Sequence, residues 1–391
     1  MKSNLTAVII FLFVTLAFSA FGQGKFPLKY EEASNTNMQI VSMTRLHLAV
    51  RPEKPTELKA TPKEISDTAL YGNADFGIFA LDLDAKPPKA YFDFNKNKDL
   101  SDDKPFEGIE ERGRFIFKEI AAGNAKFEAN AWKQPNNQAS VILNSKGCLT
   151  GEVKIGKKSY KAVFVDSTFD GRYNSTVVLP IAGRVGIGGK YDNMGFDFDG
   201  NGKVEYKYPV GEIFPLVKAI KFENDFYSIR VTDDGSSVTM EKIKPEMGIF
   251  KVGSGDVEII LFSEFGQMQL SGSTKYDLPV GQYQLMSAAL KTKDKDGAEW
   301  TLTNLKGAVK SQSFEITAGK PYEINIGPPL IVKPDITKSG AGYIINAVVT
   351  GSAEETYLPG ATKNGRNEPA PSVTITDEKD NVLVTATLQY G

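Results

Sequence analysis

The chain has 391 residues, of which 41% are apolar and 24% charged, and its net charge is −2. That length exceeds one ordinary domain, and the apolar share suffices for packed cores. A near-neutral balance without any basic block excludes the electrostatic footprint of a nucleic-acid binder, and one histidine (His47) with one cysteine (Cys148) excludes an internal disulfide and a His/Cys zinc cluster.

The N-terminus reads as an export signal. Lys2 gives a positive start, residues 5–18 form an apolar run, and Ala20-Phe21-Gly22 fits the small-x-small pattern of a signal-peptidase site. Cleavage there sets the mature start at Gln23. No cysteine lies near that point, so a lipoprotein is not expected. The competing reading is an uncleaved membrane anchor; no later segment has the length and apolarity of a span. The expected location is periplasmic, cell-surface or secreted.

Past the signal, Gly, Asn, Asp and Pro clusters punctuate runs rich in Val, Ile, Phe, Tyr and Thr. His47 sits between Leu46 and Leu48, as a strand residue would. Residues 62–71 are the best candidate for a helix, and a short one. Segments 257–262, 313–317, 322–326, 372–376 and 382–390 carry the period-two alternation of half-buried strands. Regularly spaced strands without intervening helices predict an all-β fold of several antiparallel sandwich or barrel units in tandem, with little helix apart from the signal peptide. Turn-rich gaps divide the chain into a signal peptide (1–22) and β units at 24–135, 136–245, 246–330 and 331–391. The first unit carries one acidic loop and the second carries two. Paired prolines at 328 and 329 close the third unit, since they cannot continue a central strand.

Three acidic loops share one spacing. The first contains Asp93, Asn95, Asn97, Asp99 and Ser101; the second Asp166, Thr168, Asp170, Arg172 and Asn174; the third Asp197, Asp199, Asn201, Lys203 and Glu205. Oxygen donors fall at alternate positions, with a backbone carbonyl available at the seventh, where Arg172 and Lys203 stand. Calcium explains this pattern, because it takes six to eight hard oxygens at about 2.3–2.6 Å and a tight loop can aim alternate side chains inward. The sixth position must turn sharply, which Gly171 and Gly202 permit, whereas the first loop has Lys98 there. An apolar eighth residue (Leu100, Tyr173, Val204) can anchor each loop. The twelfth position holds Lys104, Val177 or Tyr208 and not glutamate, so a sensor-type EF-hand is not expected. A looser loop completed by Asp102, Asp103 or Glu212 fits better. The competing explanation is plain turn chemistry, since Asp, Asn and Gly bond their own backbone and tolerate left-handed conformations.

Other signals are slight. The glycine-rich 183–189 stretch lacks the lysine-hydroxyl pair of a phosphate loop and reads as a hairpin. Asn174-Ser175-Thr176 is a glycosylation sequon. Two tryptophans offer little platform for a sugar, so the acids read as metal ligands before they read as a glycosidase pair.

The segment Tyr276-Asp277-Leu278-Pro279-Val280-Gly281-Gln282-Tyr283 resembles the strand pair of transthyretin-like and carboxypeptidase-regulatory-like sandwiches, which implies a non-catalytic accessory module. More widely, the chain resembles a family of uncharacterised exported bacterial multi-domain β proteins. That resemblance rests on Tyr91-Phe92-Asp93-Phe94-Asn95, Gly171-Arg172-Tyr173, the Asp197 loop leading to Gly211-Glu212-Ile213-Phe214-Pro215, Gly327-Pro328-Pro329-Leu330 and Gln389-Tyr390-Gly391. The family offers no established activity to carry over.

The function expected is a non-enzymatic, exported, calcium-binding protein with a structural or interaction role in the envelope or outside the cell, where its partner would lie. The rival expectation is an envelope enzyme or redox accessory, with a cysteine-bearing tail following Gly391.

Overall fold

The computed structural model describes residues 24–181, 190–206, 211–254, 256–303, 313–340, 342–357 and 360–388. The stretch read as an export signal, the glycine-rich 183–189 stretch and the last three residues lie outside them. The chain is nearly all β, 56% strand against 2% helix, in antiparallel sheets arranged in tandem with no closed barrel among the described residues. Met247–Val252 departs from this, running parallel to Tyr322–Ile324. No helix of the described residues is long and apolar enough to cross a membrane.

Two sheets face each other in each of the first units, with alternating burial in strands such as Gln138–Ser145 and continuous burial in Gly77–Asp82 and Asn193–Phe196. Arg45–Val50, Gln138–Ser145, Ala125–Gln134, Arg114–Ala122 and Ile109–Glu111 form one sheet in that order. It faces a second sheet of Leu70–Ala74, Gly77–Asp82, Lys89–Phe92 and Phe106–Glu107. Their shared core includes Phe76, Phe79, Phe92, Phe117, Phe127 and Leu143, all buried. His47 pairs opposite Ile142 in the first sheet, exposed to solvent.

The next core is built from Ile213–Pro215, Asn193–Phe196, Lys158–Val165 and Gly147–Ile155, packed against Ser237–Ile243, Asp225–Val231 and Ala219–Phe222. Two N-terminal strands complete this pair of sheets. Gly24–Pro27 pairs with Ser237–Ile243, and Lys29–Glu32 pairs with Gly147–Ile155. The turn-rich stretch around residue 135 connects Ala125–Gln134 to Gln138–Ser145, which pair along their length as a hairpin.

The third core carries the Tyr276–Tyr283 segment. Gly281 adopts φ 151°, and at this bend the chain passes from Lys275–Pro279 in one sheet to Gly281–Lys293 in another. Tyr283 then buries its ring and donates its hydroxyl to the Pro279 carbonyl at 2.7 Å. It stacks on Phe314, which stacks in turn on Phe250 and Tyr322. That explains the Leu-Pro-x-Gly-x-Tyr spacing: a turn, then a ring that locks it from inside. The C-terminal strands, Ile331–Ser339, Gly342–Thr350, Ser372–Thr376 and Val382–Thr387, bury far less.

The helix expected at 62–71 is not formed; residues 62–69 make turns and Leu70 and Tyr71 open the strand Leu70–Ala74. Asp82 outcompetes the helix, accepting the Ser66 backbone N–H at 2.8 Å and its hydroxyl at 2.7 Å. The single helix among the described residues is Met38–Met43, which buries Ile40 and Val41.

Candidate metal centres in three acidic loops

Each loop begins on the residue that follows a strand. Asp93 follows Lys89–Phe92, Asp166 follows Lys158–Val165, and Asp197 follows Asn193–Phe196. The strand delivers this aspartate buried, and the chain then wraps around its carboxylate. In the first loop, Asp93 Oδ1 accepts the Asn97 N–H at 3.0 Å and Oδ2 the Lys98 N–H at 2.9 Å. The third loop repeats this, with Asp197 accepting from Asn201 at 3.0 Å and Gly202 at 2.7 Å. In the second, Asp166 accepts from Gly171 at 2.8 Å.

Backbone conformation follows the same template. The sixth residue is left-handed in all three loops, Lys98 at φ 66°, Gly171 and Gly202 both at 81°. Lys98 therefore makes the turn despite its side chain, at a cost of about 1–2 kcal/mol that glycine avoids. The fourth residue is left-handed as well: Lys96 at 58°, Phe169 at 60°, Gly200 at 73°. Gly171 is needed on a second count, because a Cβ there would lie 2.6 Å from the Ala122 backbone. The eighth residues, Leu100, Tyr173 and Val204, are all buried. Leu100 donates its N–H to the Ala60 carbonyl and Val204 donates to that of Thr36.

The third loop gathers the tightest donor set. Carboxylate oxygens of Asp197, Asp199 and Glu212 all lie within 4.8 Å of one another. Glu212 is buried and enters from a neighbouring strand connection. Its Oε1 accepts the N–H groups of Phe198 at 2.8 Å and Asp199 at 3.3 Å, and its Oε2 accepts that of Glu205 at 3.0 Å. The Asn201 amide donates to Asp199 at 3.2 Å and to Glu205 at 3.1 Å, holding both acids at the loop. Beside it lies a pocket of about 440 Å³ lined by Phe198, Phe214, Ile220 and Lys221 as well as by Asp199 and Glu212.

In the second loop the Thr168 hydroxyl stands among three carboxylates, 3.1 Å from Asp166, 3.1 Å from Asp170 and 3.5 Å from Asp192. One hydroxyl proton serves one acceptor at a time. Asp192 also accepts the N–H groups of Ser167 at 3.0 Å and Ser175 at 2.9 Å. Burial, and then the charge of the neighbouring acid, push the Asp192 carboxyl well above the usual range. Burial likewise raises Asp166, with Asp170 adding to the shift against the Gly171 hydrogen bond. Asn174 points its amide elsewhere, donating to Asp233 at 2.5 Å.

In the first loop, Asn95 accepts from Asn97, Asn97 from Asp99, and Asp99 from Ser101, each donor being a backbone N–H. Asp102 accepts the Asn97 amide at 2.7 Å. Asp103 Oδ2 is buried with no hydrogen-bond partner. Desolvation and the nearby charges of Asp102, Asp93 and Asp99 raise its pKa to about 6. The first and second loops touch, with Lys96 Nζ 3.4 Å from Asp170. Phe127 packs against Phe94 on one side and Phe169 on the other, at 5.8 and 5.4 Å between ring centroids.

Sequence spacing located all three loops and named Glu212. It missed Asp192, which has no local pattern and arrives through the pairing of Val165 with Asn193. Cys148 is fully buried, and burial pushes its thiol up to about 12; a thiol so held is a poor nucleophile. Comparison with protein-family models, with curated proteins and with solved structures found no match.

Proposed function

We propose that the protein is an exported calcium-binding β protein, in which ions held by the acidic loops rigidify the connections between strands for a structural or interaction role at the envelope or outside the cell. The observation that carries this reading is the convergence of Asp197, Asp199 and Glu212 within 4.8 Å. Three carboxylates that close repel one another, and a divalent cation turns the repulsion into attraction. The donors are all oxygen, which suits calcium or magnesium before zinc or copper. The unpartnered Asp103 oxygen supports the same assignment in the first loop.

In the third loop, Asp197, Asp199 and Glu212 would hold the ion, with Asn201, Glu205 and the Lys203 carbonyl available to complete the shell. In the second, Asp166, Thr168, Asp170 and Asp192 would do so, with the Arg172 carbonyl. The ion supplies charge neutralisation, and the chain supplies backbone N–H groups that preset each first aspartate. The export reading rests on Lys2, the apolar 5–18 run and Ala20-Phe21-Gly22.

Calcium should raise the melting temperature by mass action, by about 2.7 kcal/mol of stability at one hundred times its dissociation constant. Scanning calorimetry in excess chelator and then in about 10 mM calcium, near one hundred times Kd for a weak extracellular-type site, checks this. A melting temperature that does not move would sink the reading.

A further inference from the structure

We infer that the outward face of the five-stranded sheet in the first unit binds an acidic saccharide, with a uronate ring stacked on Trp132 and its carboxylate held by Arg112 and Arg114. A pocket of about 600 Å³ lies there, lined by Glu111, Arg112, Arg114 and Trp132. Strand register builds it. Arg114 pairs opposite Trp132 on one side and opposite Glu111 on the other. The three side chains therefore leave one face of the sheet in a row, with neighbouring Cβ atoms about 4.5–5.5 Å apart. The alternate residues Phe115 and Ala131 point the other way, into the core.

Beyond Trp132 the row continues through Ser140 and Ala49. Both are short, so the row sets no long side chain against the ring from that direction. Arg112 and Gly113 close the hairpin between Ile109–Glu111 and Arg114–Ala122, both left-handed at φ 51° and 76°. Such turns favour Asn or Gly at the first position. Arginine strains the backbone there and brings a second guanidinium to the pocket.

The groups at the pocket define the ligand. Among the described residues neither guanidinium has an ion pair or a hydrogen bond, and the Trp132 indole N–H has no acceptor. No cation sits over the Trp132 ring either. Donors outnumber acceptors, and the planar guanidinium forks match a carboxylate bidentately. Glu111 adds the opposite demand, since its carboxylate needs a donor and repels a multiply charged phosphate. A uronate meets every group at once: a carboxylate for the arginines, hydroxyls for Glu111 and the indole N–H, and a flat C–H face for the ring. An acidic peptide does not. Its backbone amides need partners, and the strands bearing Arg114 and Trp132 are already paired on both sides. The edge strand Ile109–Glu111 has three residues, too short to template an added strand.

Isothermal titration in excess chelator, which keeps calcium out of the result, compares trisaccharides of galacturonate, mannuronate and glucuronate with neutral maltotriose. At least one uronate should bind saturably, and maltotriose should bind far more weakly. Arg112→Gln and Arg114→Gln should each weaken the uronate roughly tenfold or more, the worth of a charge-assisted hydrogen bond. Lys118→Gln, at an exposed site on the same strand as Arg114, should change nothing. Quenching of tryptophan fluorescence by the uronate should survive Trp300→Phe and vanish in Trp132→Phe. Binding by none of the three uronates overturns the inference. So do equal binding of maltotriose, indifference to both arginine variants, or equally tight binding of triglutamate or tripolyphosphate.

Discussion

Phe127→Ala is expected to destabilise the protein by about 3–5 kcal/mol, the usual range for deleting a buried phenylalanine. The ring is 1% exposed and meets Phe92, Phe94 and Phe169, all three nearly edge-on. Edge-to-face pairs add about 0.5–1.5 kcal/mol each beyond burial, which places this position toward the upper end. Its importance is also positional. Phe94 belongs to the first acidic loop and Phe169 to the second, so one side chain sets the seat of both. Calcium affinity at those two loops should therefore weaken, while the third loop, seated on a different core, keeps its own. Urea unfolding gives the stability change, and calcium titration in the variant gives the affinities. A destabilisation below about 1 kcal/mol would contradict the role given to this ring.

The second large effect is on pH dependence. In excess chelator, raising the pH from 5 to 8 should lower the melting temperature, on the order of 5 °C. Asp166 and Asp192 are buried side by side, and both carboxyls are raised in the folded chain by desolvation and by neighbouring charge. Between the ordinary carboxylate pKa, about 3.9, and the raised values, the folded state holds more protons than the unfolded one. The stability this confers is complete below the lower bound and disappears as pH rises through the folded pKa. Carboxylates lowered by hydrogen bonds, such as Asp234 and Asp294, lose their contribution only at more acidic pH, outside this window. Calcium should cancel the fall, because the ion takes the place of the proton. Asp166→Asn should flatten the slope, since its amide can donate to Thr168 while its oxygen still accepts from Gly171. A melting temperature that rises or stays level from pH 5 to 8 in chelator would count against the buried pair.

What the sequence revealed was what is local. Alternate oxygen donors at 93, 95 and 97 and at 197, 199 and 201 mark their loops because each side chain bonds backbone two to five residues ahead. Buried Leu100, Tyr173 and Val204 were legible for the same reason. The Leu278-Pro279-x-Gly281-x-Tyr283 turn was legible too, being closed within five residues. The left-handed fourth position was not, since Lys96 and Phe169 give no sign of it. Asp192 was hidden because strand pairing, a long-range event, carries it to Asp166. Nor does any local signal tell that Gly24–Pro27 pairs with residues more than two hundred positions later. The segment 62–71 misled because its apolar spacing suits a helix, and only Asp82, from another strand, decides otherwise.

Isothermal titration of calcium into chelator-treated protein decides whether the acidic loops hold the ion. Saturable heat with dissociation constants at or below about 10⁻³ M is expected, and Asp197→Asn should remove one equivalent by disarming the third loop alone. No heat of binding in the native chain, or an unchanged number of equivalents in Asp197→Asn, would contradict the account.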